Sequence, residues 1–289
     1  MSYDAIIIGA GHNGITAGIY LAKAGFKTLI LEKNEQAGGC IRSGEITRPG
    51  FIHDIYSANQ NLFLNSRFYS DFQDELARYG LKYAVSDQPY ANVFPGEKSL
   101  RIYCDQEKTM QQLAAHDARD AEGWQVLAEH FGGFAQYLLP LLSARMPSAE
   151  AAGMLSKAVA KLGIDEVLKL VQIIFSSTRE LADGYLHSEE AKALIASWGM
   201  HLDFGPNVSG GAMFPFVESF ANMQNGMAFV KGGASNMINA MLRLYHSYGG
   251  EIRTGTAVKE VLVKHKKVQG VRVSGGAQLQ AKRVLAITN

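Results

Sequence analysis

The residues from 5 to 32 leave few folds open, because an apolar run, a glycine-rich turn, an amphipathic segment and a second apolar run follow one another. Ala5 to Ile8 is short and entirely apolar, as in a parallel strand that is covered on both faces. The turn GAGHNG comes next, Gly25 ends the helical segment, and the second strand begins at Thr28 and closes on Glu32. This order predicts a Rossmann-like α/β unit with a parallel sheet.

The three glycines of the turn each meet a mechanical need. Gly9 makes the tight turn, Gly11 lets the backbone approach a pyrophosphate, and Gly14 lets the helix pack closely on the strand. The phosphates then lie at the helix N-terminus, where free N–H groups favour anions. A carboxylate at Glu32 would accept the ribose hydroxyl protons of an adenosine, and it would repel the 2′-phosphate of NADP. The turn therefore predicts an adenine dinucleotide. The other positions assigned to this site are Ala10, His12, Asn13 and Lys33.

A glycine pair beyond the second strand bears on which dinucleotide is bound. Gly38-Gly39 would let the backbone pass close to a larger cofactor, and Arg42 could meet a phosphate or a flavin edge. In NAD-dependent dehydrogenases the second strand normally runs on into another βα unit. From these residues alone an ordinary Gly-Gly turn stays open as the alternative, so the choice between FAD and NAD needs more of the chain.

The segment GAGHNGITAGIYLAKAGFKTLILEKNEQAGG resembles the opening of FAD-dependent oxidoreductases of the phytoene desaturase group, within the flavin amine oxidase-like superfamily. Gly-His-Asn-Gly is similar to the phytoene dehydrogenase-like branch, which also carries the name pyridine nucleotide-disulphide oxidoreductase domain-containing protein 2. That name implies a redox-active cysteine pair, which this sequence does not have. The resemblance implies FAD, and it implies binding roles for Gly38, Gly39 and Arg42. Relatives often have Gly-Gly-Arg, whereas Cys40 follows the glycines here.

A second resemblance lies about 200 residues downstream, from Phe229 to Val273. Gly232-Gly233 precede an amphipathic helix, and two alternating strands follow around a basic turn, as in the Gly-Gly helix and β-hairpin of the same group. The family's backbone meets the adenine at the position of Val258, so the resemblance implies a backbone contact there. The two motifs together favour FAD over NAD.

The fold class that follows is a Rossmann-like FAD-binding domain of the amine oxidase-like type, with a mixed α+β substrate domain inserted in it. The predicted FAD-binding domain is discontinuous, 1–66 and 228–289, and the insertion, 67–227, is largely helical. The resemblance spans the whole chain but only the N-terminal part of the family. We therefore expect a C-terminal truncation, with the remainder of the site in a missing C-terminal portion or in a partner chain, as in a homo-oligomer.

Within the insertion, large apolar residues between Trp124 and Leu142 recur at three- and four-residue steps, which predicts a core helix; a wall of a substrate tunnel is the alternative. Trp198 to Phe229 is dense in Met and aromatic residues and interrupted by Gly and Pro. It is either a domain-interface core or a lining for a long apolar substrate. Asp54 and Ser57 lie near the flavin in one interpretation and cap a turn in the other.

Composition excludes several classes of function. Lys plus Arg (28) balance Asp plus Glu (27), so no nucleic-acid partner is expected. Cys40 and Cys104 form no Cys-x-x-Cys pair, and no metal site is predicted. The N-terminus carries no signal-peptide pattern, and no charge-free stretch is both long enough and continuously apolar enough to span a bilayer. We expect a cytoplasmic protein and leave peripheral membrane contact open.

The chemistry that the resemblance implies is that of the flavin itself, which takes a hydride while the protein fixes geometry. We expect an FAD-dependent oxidoreductase that desaturates, saturates or isomerises a C–C bond of a hydrophobic, isoprenoid- or carotenoid-like substrate. A flavin amine oxidase-like enzyme and a non-catalytic nucleotide-binding fragment are the alternatives. The sequence assigns no catalytic residue: His187, His201 and His246 have no acid or serine at a convincing spacing.

Overall fold

The computed structural model describes residues 2–96 and 98–288. The chain divides into two compact units, Met1–Val85 with Ala228–Asn289 and Ser86–Met227. The predicted insertion began at residue 67, earlier than the division in the structure. The difference arises because the helix at Arg67–Arg78 buries Phe68, Phe72 and Leu76 in the core of the first unit.

The helices and strands include the strand–helix–strand order that was predicted around the glycine turn. The chain up to the start of the second unit contains β1 (Ser2–Tyr3), β2 (Ala5–Ile8), α1 (His12–Lys23), β3 (Thr28–Leu31), β4 (Ser43–Gly44), β5 (His53–Asp54), α2 (Asn61–Leu64), α3 (Arg67–Arg78) and β6 (Tyr83–Ser86). The second unit contains β7 (Tyr90–Phe94), β8 (Lys98–Ile102), α4 (Gln106–His116), α5 (Ala118–Ser143), α6 (Ala149–Leu162), α7 (Ile164–Phe175), α8 (Thr178–Tyr185), α9 (Glu189–Met200) and α10 (Met213–Asn225). The chain returns through β9 (Met227–Val230), α11 (Ser235–Ser247), β10 (Glu251–Arg253), β11 (Val258–Lys264), β12 (Lys267–Val273), β13 (Gln278–Ala281) and β14 (Val284–Ala286).

The first unit is built on a parallel sheet in the order β10-β3-β2-β14. Its central strands, β2 and β3, are apolar except for Thr28, as suits a sheet that is covered on both faces. Ile7 and Ile30 face the helices α1 and α11, whereas Ile6 and Leu29 face a second sheet in the order β1-β13-β12-β11. The Tyr245 hydroxyl donates to Thr28 Oγ1 at 2.8 Å and ties α11 to β3. The predicted Rossmann-like strands and the β11–β12 hairpin are therefore present.

The second unit is largely helical, and its core contains the stripe that the sequence indicated. Trp124, Phe131 and Phe134 are fully buried, whereas Leu139 is exposed. Part of the segment that is dense in Met and aromatic residues, Met213–Asn225, forms the helix α10, and Phe216 and Phe220 pack in the same core. Pro215 is compatible with this helix because it lies in the first turn, where N–H groups have no intrahelical partner. The described helices include none that is long and apolar enough to cross a bilayer.

Candidate cofactor-binding site

A cavity of about 730 Å³ opens at the carboxyl ends of β2, β3 and β14, all within the first unit. Ligands of open parallel sheets bind at this edge, and the volume is typical of small-molecule sites. Most of the residues that the sequence assigned to the cofactor line it. They are Gly9, Gly11, His12, Asn13, Gly14, Glu32, Lys33, Gly39 and Val258.

The three glycines of the turn differ in what surrounds them. Gly9 has φ +103°, and a Cβ there would overlap the carbonyl oxygen of Ile287. A Cβ at Gly14 would overlap the carbonyl oxygen of Gly9, so this glycine allows α1 to approach the strand. Gly11 has an ordinary φ of −68°, and a Cβ there meets no atom within 4 Å. Because Gly11 lines the cavity, its missing side chain leaves room there that no protein atom fills.

The N-terminus of α1 suits an anion. Gly11 is its N-cap, no side chain in the described part of the chain caps it, and its first turn contains no acid. The first intrahelical bond runs from the Ile15 N–H to the Gly11 carbonyl, so the N–H groups of residues 12–14 have no partner inside the helix. Other helices are capped: the Ser188 hydroxyl accepts from the Ala191 N–H at the start of α9. The residues present therefore fit the diphosphate of a dinucleotide.

Glu32 connects the end of β3 to the glycine turn. Its buried carboxylate accepts the Ala10 N–H at 2.9 Å through Oε2. Oε1 accepts both the backbone N–H and the side-chain amide of Asn34, at 2.9 and 2.8 Å. A carboxylate offers about four lone-pair sites, so three are engaged inside the protein and one remains on a residue that lines the cavity. Glu32 thus orders the turn as well as facing the place of the predicted ribose.

The second glycine pair packs directly against the first turn. The Gly38 N–H donates to the Ala10 carbonyl at 2.8 Å. Gly39 has φ +60°, and a Cβ there would lie 3.3 Å from the Gly11 Cα. The loop after β3 therefore needs glycine at this point, because it runs alongside the turn that borders the cavity.

Three of the predicted site residues do not line the cavity. Ala10 is fully buried and holds Glu32, and Gly38 holds Ala10. Arg42 is exposed, and its carbonyl accepts the Ile55 N–H at 2.9 Å. Cofactor contacts of all the predicted residues remain predictions. Arg42 lies on the loop between β3 and β4, outside the lining of the cavity.

The cavity also has walls that the sequence did not assign. Residues 286–288 border it from the end of β14, and Thr256 and Ala257 border it ahead of β11. The Thr256 N–H donates to the Glu32 carbonyl at 2.7 Å, which brings that segment to the end of β3. The signal that could have identified residues 286–288 is the strand order. β14 pairs in parallel with β2, so its carboxyl end must lie beside the glycine turn.

Two titratable side chains, Lys33 and His12, border the cavity near Glu32 and differ in charge. Lys33 is exposed at the edge as a cation. His12 keeps an exposed surface, yet desolvation by the atoms around its ring lowers its pKa. The His12 ring is therefore neutral at neutral pH, and the backbone N–H groups of α1 supply the positive potential beside it.

A larger cavity, of about 940 Å³, lies elsewhere on the first unit, along β12, β13 and β14. Its lining includes Lys267, Lys282 and Arg283 but none of the glycine-turn residues. Size alone would favour it over the cavity at the glycine turn. The chemistry that the sequence predicts belongs to the smaller cavity, which has the helix N-terminus and the carboxylate.

Asp54 caps a helix. Its Oδ1 accepts the Ala234 N–H at 2.7 Å at the start of α11 and also accepts the Ser43 hydroxyl at 2.7 Å. Ser43 and Ser235 exchange hydrogen bonds between their backbone N–H groups and hydroxyls. Asp54 therefore caps a helix that is distant in sequence and not a local turn, and its position near the flavin stays a prediction.

Removing this cap should lower stability. We expect Asp54→Ala to reduce the free energy of unfolding by about 1–2 kcal/mol, because the Ala234 N–H and the Ser43 hydroxyl lose their acceptor. Asp54→Asn keeps the Oδ1 acceptor and should lose less. Urea titration of both variants measures the difference. Equal losses in the two variants would show that the charge at Asp54, and not its hydrogen bonds, stabilises α11.

This geometry defines a dinucleotide-binding α/β unit, and comparison with known proteins gives its family. The chain belongs to the flavin-containing amine oxidoreductase family, whose model matches residues 14–287. The predicted family, the FAD-binding fold and the flavin cofactor are thereby confirmed.

Individual relatives are distant but match nearly the whole chain. The rat protein named pyridine nucleotide-disulfide oxidoreductase domain-containing protein 2 is 26% identical over 98% of this chain and 53% of its own length. A 4,4′-diapophytoene desaturase of Staphylococcus haemolyticus is 24% identical over 93% of this chain and 52% of its own. A structure of a putrescine oxidase variant superposes with a TM-score of 0.60 at 17% identity, over 99% of this chain and 58% of that one. The chain spans about half the length of the curated relatives that it matches.

Proposed function

We propose that this chain is the FAD-binding part of an oxidoreductase that acts on a C–C bond of a hydrophobic, isoprenoid- or carotenoid-like substrate. The observation that carries the proposal is the similarity to a 4,4′-diapophytoene desaturase along 93% of the chain, together with the cavity at the glycine turn. The desaturase matches the segments on both sides of the second unit. The similarity is therefore not limited to a nucleotide-binding motif.

The residues of the chain would bind and orient the cofactor. A bound flavin supplies the hydride acceptor. The N–H groups at the start of α1 would hold the diphosphate, and the absence of a side chain at Gly11 would admit it. Glu32 would accept a ribose hydroxyl through its remaining lone pair, and the backbone near Val258 would border the adenine. The described residues contain no group of three or more potential metal ligands, and we assign no residue to proton transfer.

A second candidate is oxidation of an amine. The description of the family, flavin-containing amine oxidoreductase, favours it, and the fold similarity to a putrescine oxidase agrees with it. Both chemistries use the same FAD-binding unit, so the motifs at Gly9–Gly14 and Gly232-Gly233 permit either. A nucleotide-binding chain without turnover is the third alternative, and it differs from the others in one measurable respect: substrate would leave the flavin oxidised.

The test is anaerobic reduction of the bound flavin. The purified chain is first titrated with FAD, and the visible spectrum reports whether flavin is bound. A C40 polyene in detergent micelles and a diamine such as putrescine are then added separately without oxygen. Bleaching by the polyene alone supports the proposal, and bleaching by the amine alone supports the second candidate. Bound flavin that neither compound reduces, and that after reduction with dithionite neither saturates nor isomerises the polyene, contradicts the proposal and favours binding without turnover.

A further inference from the structure

The imidazole ring of His12 lines the cofactor cavity without a partner in the described part of the chain. His12 is the first residue of α1, and its side chain keeps an exposed surface. Desolvation is the sole cause that lowers its pKa, so neither a hydrogen bond nor a charged neighbour acts on the ring. By contrast, His246 Nδ1 lies 2.9 Å from the Gly250 carbonyl oxygen. The ring nitrogens of His12 are therefore available to a ligand.

The position of His12 in α1 places its ring beside the N–H groups that suit a diphosphate. The Cα–Cβ bonds of a helix tilt toward its N-terminus, so the side chain of the first residue leans toward the space in front of α1. The backbone N–H of His12 is itself one of the donors that have no partner inside the helix. An anion that accepts from this N–H at about 3 Å is therefore within one side-chain length of the imidazole.

The other ionisable side chains of the cavity belong to different walls. Among the described residues that line it, they are Glu32, Lys33 and Cys40, which lie at or after the end of β3. Glu32 accepts from the Ala10 and Asn34 N–H groups and has no effect on the pKa of His12. The walls at residues 256–258 and 286–288 carry no titratable side chain. His12 is thus the titratable side chain that the first turn of α1 presents to the cavity.

We propose that FAD binding takes up one proton at His12, and that the protonated ring is a ligand of the FAD diphosphate. Without the cofactor a charge on this ring is desolvated and unpaired, so the neutral form is favoured at neutral pH. A bound dianion pairs with the charge, and the hydrogen bond from the ring to the diphosphate becomes charge-assisted. The proton comes from solvent and stays on an imidazole nitrogen. The inference rests on FAD as the cofactor and is independent of the substrate in the proposed function.

Proton uptake makes the affinity for FAD depend on pH. Below the pKa of His12 in the free chain, the ring is charged with and without FAD, and affinity is highest. Above the pKa of His12 in the complex, the ring is neutral in both states, and affinity is lowest. Between these two values the dissociation constant rises with pH. An opposite charge beside an ionisable group changes its proton affinity about tenfold or more, so the dissociation constant should rise about tenfold across this range.

Flavin fluorescence titration of the full chain between about pH 5 and about pH 8 measures this dependence. The FAD dissociation constant of the parent should rise about tenfold with pH. That of His12→Gln should stay constant and close to the parent value at the highest pH, because glutamine donates a hydrogen bond but does not titrate. The matched control is His187→Gln, an exposed histidine of the second unit outside the cavity, which should keep the parent's pH dependence. Lys33→Gln removes a cation from the same rim and should keep it as well.

Calorimetry of FAD binding to the parent chain counts the protons and needs no variant. Titrations in two buffers of different ionisation enthalpy should show net proton uptake in the middle of the pH range, and His12→Gln should abolish it. A parent dissociation constant that does not change with pH overturns the proposal. So does a His12→Gln variant that keeps the parent's pH dependence, which would assign the proton to Glu32 or Cys40. Both results leave the proposed function standing, because its test measures reduction of flavin that is already bound.

Discussion

Gly11→Ala is expected to weaken FAD binding at least 100-fold while leaving the free energy of unfolding within about 1 kcal/mol of the parent value. The backbone at Gly11 has φ −68°, which alanine adopts without strain, and an added Cβ meets no protein atom within 4 Å. The methyl group would instead occupy the cavity beside the start of α1, where the diphosphate is predicted. Flavin fluorescence titration and urea denaturation measure the two quantities on the same sample.

Two other glycines of the first unit serve as controls. Gly44→Ala adds a Cβ that also meets nothing within 4 Å, but Gly44 does not line the cavity, so neither binding nor stability should change. Gly14→Ala would drive a Cβ into the Gly9 carbonyl and should lower stability by about 2 kcal/mol or more. FAD binding by Gly11→Ala that equals the parent's would show that the diphosphate does not approach this turn.

The contrast between these glycines also shows which features of the site can be predicted from the sequence. The motif names the three positions and their roles, because the βαβ turn imposes the same local geometry wherever it occurs. Local pattern likewise predicts β2, β3 and the β11–β12 hairpin. Each of these depends on residues that are close together in the chain.

What the sequence misses depends on long-range pairing. Residues 286–288 reach the cavity only because β14 pairs with β2. No local sequence pattern predicts that β2 is the strand beside β14. The interpretation of Asp54 stayed open because its helix begins 180 residues later. α10 was not predicted because Gly and Pro interrupt the segment that contains it, whereas burial of Phe216 and Phe220 in the second unit stabilises a helix there. Tertiary packing overrides local propensity in these places.

Glu32→Ala is the prediction with the second-largest effect, since the carboxylate has two roles. Without it the Ala10 N–H, on a fully buried residue, loses its acceptor, and we expect a loss of about 2 kcal/mol in the free energy of unfolding. The ribose would lose a charged acceptor as well, and the turn that faces the diphosphate would lose its order. Affinity for FAD should therefore fall roughly 100-fold.

Asn34→Ala separates the two roles of the carboxylate. It removes the side-chain bond to Glu32 Oε1 and keeps the bonds from the Ala10 and Asn34 N–H groups. Because Asn34 is exposed, its loss should cost less than about 1 kcal/mol, and the freed lone pair of Glu32 can face the ribose. FAD affinity should then equal or exceed that of the parent chain. If Glu32→Ala loses stability but binds FAD as tightly as the parent, Glu32 acts only within the protein, and the ribose of the cofactor must be held by other groups.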